Sequence, residues 1–154
     1  EGKPLPPMTQ LVTMKADAAN GRVIFNTTGT CHKCHIVNKV GREIGPDLSE
    51  IGSKLSPLAM FESIIYPSAG ISHNYEAYSL VLVSGTTVNG LITSETDDSI
   101  SIKSDDGIVR TFKMAEVDEK LKQKISLMPA DLQKVMTAQE IADVVGHMQT
   151  LKKK

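Results

Sequence analysis

The chain has 154 residues with a formal charge of −1, 40% apolar residues, three Phe, three Tyr and no Trp. A near-neutral balance gives no electrostatic footing for nucleic acid, and without an apolar run of about 18 residues nothing in it spans a membrane. The length suits one domain, or one domain with a sizeable insertion, and so few aromatics make a thin core.

Residues 1–15 carry the prolines at 4, 6 and 7 and no clear periodicity, so they read as an extended arm. No secretory signal is visible there. The arm is expected to be a proline-rich linker or a trimmed mature terminus. Asp17 is an N-cap, and Ala18 to Thr27 forms a short helix. Gly21 inside it costs about 1 kcal/mol against Ala, which makes sense if another helix crosses close to the backbone there. Gly29 ends the helix.

Cys31-His32-Lys33-Cys34-His35 follows at once. Two cysteines two residues apart with a histidine directly after them are the attachment pattern for a c-type haem. Each thiol adds to one porphyrin vinyl group, and the gap sets the sulfurs at the vinyl-to-vinyl separation. The next residue then lies under the ring centre, where the His35 imidazole binds iron. Two other readings use the same residues. A thioredoxin-like dithiol calls for a βαβ setting, and no strand pattern precedes the motif. A zinc site on Cys31 and Cys34 calls for a second ligand pair, and His73 and His147 stand alone. One covalent haem c is therefore the expected cofactor, and a buried porphyrin would supply the missing apolar mass. With both cysteines assigned to it, no disulfide is expected. Covalent attachment takes place outside the cytoplasmic membrane, so the expected location is periplasmic or otherwise extracytoplasmic.

Beyond the motif, Gly45-Pro46-Asp47-Leu48 is a rigid turn able to present a carbonyl to the proximal histidine. Such a carbonyl accepts the second ring N–H and fixes the tautomer. Ser56-Pro57 opens the next helix, with Pro57 at its first position. Leu58, Phe61, Ile64 and Ile65 line one face, and Tyr66-Pro67 closes it.

From Tyr75 to Phe112 the residues become β-branched and alternating, with turns at Ser84-Gly85 and Asp105-Asp106-Gly107. This predicts a small antiparallel sheet of about four strands. Lys113 to Lys124 is charged and ambiguous: one helical turn, then an extended piece. A short helix is expected across Ala130 to Met136. Thr137-Ala138-Gln139-Glu140 is a capping box. It starts a terminal helix with Ile141, Val144, Val145, Met148 and Leu151 on one face, suited to crossing the Gly21 helix.

A haem iron bound by one histidine is open on the other side or closed by a second side chain. Met8 and Met14 lie in the arm, Met60, Met136 and Met148 at helical positions that favour core filling, and Met114 borders the charged segment. Met128 differs, because Pro129 after it fixes a turn in a loop from which a side chain can reach inward. His73 and an open site are its alternatives.

This order of elements resembles a class I cytochrome c, and more narrowly a bacterial subfamily of cytochrome c-like haem-binding domains. The residues that carry the resemblance are Cys31 to His35, Gly45 to Leu48, the inserted β segment, Met128-Pro129 and the Thr137…Glu140 helix. It spans about residues 16–151. It implies a mainly α fold around a covalent haem, a single domain at 16–151 with a β insertion at about 71–125, thioethers at Cys31 and Cys34, and His35 and Met128 as axial ligands. Subfamily members are often fused to larger extracytoplasmic dehydrogenase-like or repeat domains. The expected function is one-electron transfer, by a carrier and not an enzyme, from a dehydrogenase-type donor or fused dehydrogenase domain to an acceptor. A haem enzyme or gas sensor with an open or displaceable sixth site is the alternative. A module whose β insertion binds a partner is a third reading.

Overall fold

Pro7 has no N–H to give, and α1 (Met8–Leu11) begins directly after it as a single turn in the computed structural model, which describes residues 3–154. Residues 8–11 of the expected arm are thus helical, and burying Leu11, 1% exposed, is what holds the turn against the core. The described residues form two units, one up to Gly70 together with Pro129–Lys154, the other Ile71–Met128.

In the first unit, Asp17 caps α2 (Ala18–Asn26), its carboxylate accepting the Asn20 N–H at 3.0 Å. Next comes a two-stranded hairpin, β1 (Ile36–Val37) and β2 (Val40–Gly41). Ser56 caps α3 (Pro57–Ile65), which buries Met60, Phe61, Ile64 and Ile65. Thr137 and Glu140 form a reciprocal capping box at the start of α4 (Ala138–Gln149). The expected helix before it is only a 3-10 turn, Leu132–Lys134.

The crossing of α2 and α4 organises this unit. A Cβ on Gly21 would sit 1.8 Å from the Asp143 carbonyl oxygen, so the two backbones touch there. The crossing also buries polar positions of α4. Every residue from Ile141 to Met148 is buried, not one face alone. Asp143 accepts from the Asp17 N–H at 2.9 Å, the Asn20 amide at 2.9 Å and the Gln139 amide at 2.8 Å. Burial works against its charge, but these donors outweigh it and hold the carboxyl below its usual range.

His147 packs edge-on against Phe25 with ring centroids 5.6 Å apart. Burial, with the Arg22 charge adding to it, pushes the imidazole below its usual range. The unfolded chain therefore takes up this proton first. The stability it contributes is intact above about pH 6.5 and is lost as the pH falls through the depressed folded value. The thermal midpoint should drop from about pH 7 to about pH 5, and His147→Gln should lose less over the same interval. Equal slopes for the two proteins would rule His147 out as the cause.

The second unit is a sheet of β3 (Ala77–Leu82), β4 (Thr87–Glu95), β5 (Ser99–Lys103), β6 (Val109–Lys113) and β7 (Val117–Lys122). The order is β6-β5-β4-β3-β7, every neighbour antiparallel. Leu80, Ile100 and Ile102 are its core, with Leu82, Val88, Ile92, Phe112, Met114 and Val117 packed around them. β7 is the strand that the alternation does not reveal. It is an edge strand, exposed along nearly its whole length, so its residues need not alternate. Main-chain pairing to β3 holds it, assisted by Lys120, which lies 2.9 Å from Glu95 and 5.7 Å from the centre of the Tyr78 ring.

The expectation of a mainly α fold with a small inserted sheet is thereby corrected. Among the described residues the chain is 30% helix and 23% strand, with a five-stranded antiparallel sheet and four α-helices, and its class is mixed α/β. The physical reason lies in 77–122, where five paired strands bury Leu80, Ile100 and Ile102 as a core of the sheet's own.

Candidate functional site

After α2 the chain turns sharply, with the Gly29 N–H on the Ile24 carbonyl at 2.8 Å and Thr30 left-handed at φ 52°. A 3-10 turn, Cys31–Lys33, follows, capped by Cys34. The N–H groups of Cys34 and His35 both donate to the Cys31 carbonyl, at 3.1 and 2.9 Å. One tight turn thus brings Cys31, Cys34 and His35 together, and the two thiols are not bridged to each other. Burial pushes the Cys31 thiol up to about 11, opposed by a hydrogen bond to its own backbone and aided by Cys34. A thiol that stays protonated near neutrality is a poor redox nucleophile, which disfavours a thioredoxin-like role.

The next segment closes over the histidine. Asn38 and Lys39, with φ 50° and 71°, form the two-residue tip between β1 and β2. The Asn38 N–H donates to Ser49 Oγ at 2.7 Å, and the Leu48 N–H to the Ile36 carbonyl at 2.8 Å. Ile44 and Gly45 both donate to the Cys34 carbonyl, at 3.0 and 2.6 Å. This clip brings the Pro46 carbonyl 2.7 Å from His35 Nδ1. A carbonyl oxygen only accepts, so Nδ1 carries the proton and the Nε2 lone pair is left available. Burial pushes His35 below the usual imidazole range, and the Pro46 bond works the other way, so the neutral ring is favoured. A Cβ on Gly45 would lie 2.5 Å from His35 Cε1, 2.9 Å from Nδ1 and 3.1 Å from Nε2. Gly45 therefore lies flat against the ring, and the imidazole is held in its plane by Pro46 and on one face by Gly45.

The hairpin and the Ser49 bond have only a weak signal in the sequence, because Asn-Lys is a poorer left-handed pair than Asn-Gly. Met128 is the last residue of the sheet unit, half-buried, its N–H donating to Ser126 Oγ at 3.1 Å. Met60, Met136 and Met148 are buried. In the sheet unit His73 is 89% exposed and lies 3.6 Å from Glu76, a surface residue.

What fold and site define together is a mixed α/β chain carrying a paired-cysteine turn and an oriented, neutral imidazole. No family model and no curated protein matches it. The resemblance to class I cytochromes c, and to their bacterial subfamily with an inserted β segment, is corrected on these findings. The fold is mixed α/β, and the cysteines occupy a 3-10 turn and its cap. Among the described residues no group of three or more His, Cys, Asp or Glu could hold a metal ion, which also removes the zinc reading. The motif and its turn span too little of the chain to define a family. The local residues nevertheless fit a covalent haem: a porphyrin brings four nitrogens to its iron, so a single oriented imidazole and two nearby thiols suffice.

Proposed function

We propose that this chain carries one covalently bound haem c and acts as a one-electron carrier outside the cytoplasm. The observation that carries the reading is the 2.7 Å contact between His35 Nδ1 and the Pro46 carbonyl, in the clip that follows the paired cysteines. Bound haem supplies an iron that cycles between ferrous and ferric states. The chain's own work is tethering and orientation. Cys31 and Cys34 would hold the group as thioethers, and His35, protonated at Nδ1, would offer Nε2 to the iron. Pro46 keeps the ring from turning and raises its basicity. On the sequence argument, Met128 would be the second protein ligand to the iron. Its thioether favours the softer ferrous state and so raises the potential. The partner is a second redox protein or a fused dehydrogenase domain, met through a small and transient contact. Among the described residues no helix is long and apolar enough to cross a membrane.

The direct test is export of the chain with haem-attachment machinery, followed by denaturation. Haem should stay on the chain, and be lost when Cys31 and Cys34 are both changed to Ala. A chain that sheds its haem would refute the proposal. Met128→Ala should remove the weak far-red band of the oxidised protein. It should also lower the potential by a few tenths of a volt, within the span of about 0.8 V that axial ligands command. Survival of the band would exclude Met128, and rapid binding of carbon monoxide by the reduced wild type would favour an open sixth site instead.

A further inference from the structure

The Cys31 sulfur has a neighbour that the attachment pattern does not include. A Cβ on Gly29 would lie 3.2 Å from Cys31 Sγ and 3.2 Å from Met136 Sδ, so both sulfurs border the same space. The third wall is the Ile24 carbonyl oxygen, 3.0 Å from that point. It is backbone, and it already accepts the Gly29 N–H, so it cannot yield. Met136 is itself fixed: it is 3% exposed, and its N–H donates to the Leu132 carbonyl at 2.9 Å. Between these walls Cys31 Sγ lies 3.7 Å from the Gly29 carbonyl.

We propose that Met136 is a positioning residue for Cys31, its buried thioether holding the Cys31 sulfur in the one direction from which it bonds the porphyrin edge. The inference rests on the haem reading above. Attachment at Cys31 adds its S–H across a vinyl group. One S–C bond forms at the inner vinyl carbon and the thiol proton goes to the outer carbon. No electrons are gained or lost, and nothing is expelled. Such an addition depends on where the sulfur points. A polarizable thioether across the shared space limits where the sulfur can swing without offering a strong hydrogen bond that would turn it away.

Two readouts test this, and the first needs no haem. In the haem-free chain, Met136→Ala opens a cavity beside Cys31, and iodoacetamide should label Cys31 about tenfold faster, while labelling of Cys34 stays near its original rate. Met136→Leu, which refills the space, should restore the wild-type ratio. An unchanged ratio in Met136→Ala overturns the proposal, whatever the fate of the haem. In the exported protein, peptide mapping of Met136→Ala should find haem on Cys34 alone in most molecules, with Met136→Leu joined at both cysteines. Double attachment in Met136→Ala at the wild-type proportion would equally overturn it. A wild type that binds no haem refutes the carrier reading instead, so the two failures are distinct. Should Met136→Ala not fold, Gly29→Ala crowds Sγ without making a cavity and should reduce the Cys31 linkage in the same way.

Discussion

Gly45→Ala is expected to break the His35–Pro46 hydrogen bond. The added methyl would overlap the imidazole at 2.5 Å from Cε1, and both sides are tied by hydrogen bonds. The Gly45 backbone is tied to the Cys34 carbonyl at 2.6 Å, and the ring is tied to Pro46 at 2.7 Å. The softer of the two is the side-chain bond, so the ring turns away and a part-buried Nδ1–H loses its acceptor. That costs about 1–3 kcal/mol. It also removes the bias that keeps the lone pair on Nε2, which the proposed iron ligand needs. In the haem-free protein, the downfield imidazole N–H resonance of His35 should vanish in Gly45→Ala. Pro46→Ala keeps a carbonyl at that position and should retain the resonance. A resonance that persists in Gly45→Ala would show that the clip can open, and Gly45 would lose its positioning role.

Gly21→Ala is expected to be the most damaging single methyl in the helical unit. In an isolated helix the change would stabilise by about 1 kcal/mol. Here the Cβ would lie 1.8 Å from the Asp143 carbonyl oxygen and 2.9 Å from the Val144 nitrogen, and both are backbone atoms of α4. Relief requires the helices to separate, which would strain the bonds from Asp17 and Asn20 to the buried Asp143 carboxylate. Overpacking of this kind, with a polar network disturbed beside it, outweighs the propensity gain and should leave a net loss of about 3–5 kcal/mol. Urea unfolding measures it directly. Gly70→Ala is the control, because nothing lies within 4 Å of its Cβ, and it should be neutral or slightly stabilising. Equal stability in Gly21→Ala and Gly70→Ala would mean that the crossing is not a backbone contact.

Much of the local framework is legible in the residues. Asp17, Ser56 and Thr137 are short polar side chains placed where a helix must satisfy its first N–H groups, and all three accept such a bond. Ser84-Gly85 and Asp106-Gly107 carry the turns, with left-handed glycines at 85 and 107. Features that depend on a distant partner are not legible. β7 reads as charged and ambiguous because its stability comes from main-chain bonds to β3, which leave no mark on side-chain hydropathy. Four of the five strands pair as hairpins between consecutive segments and are legible, but the fifth closes the sheet only through β3, some 35 to 44 residues away. α4 reads as amphipathic, yet Asp143 and His147 are buried too, because α2 covers the side that a hydrophobic count assigns to water.

At the site, the division is equally physical. The sequence by itself determined the chemistry on offer: two thiols one turn apart, an imidazole beside them, and a proline turn within reach. Covalent spacing along a single chain is enough for that. Only the tertiary structure decided that the Pro46 carbonyl meets Nδ1, that Gly45 lies against the ring face and that the Met136 and Cys31 sulfurs border one space beside Gly29. Each of these contacts joins residues 10 or more positions apart, and it exists only because a hairpin clip or a buried helix start brings them within a few ångströms.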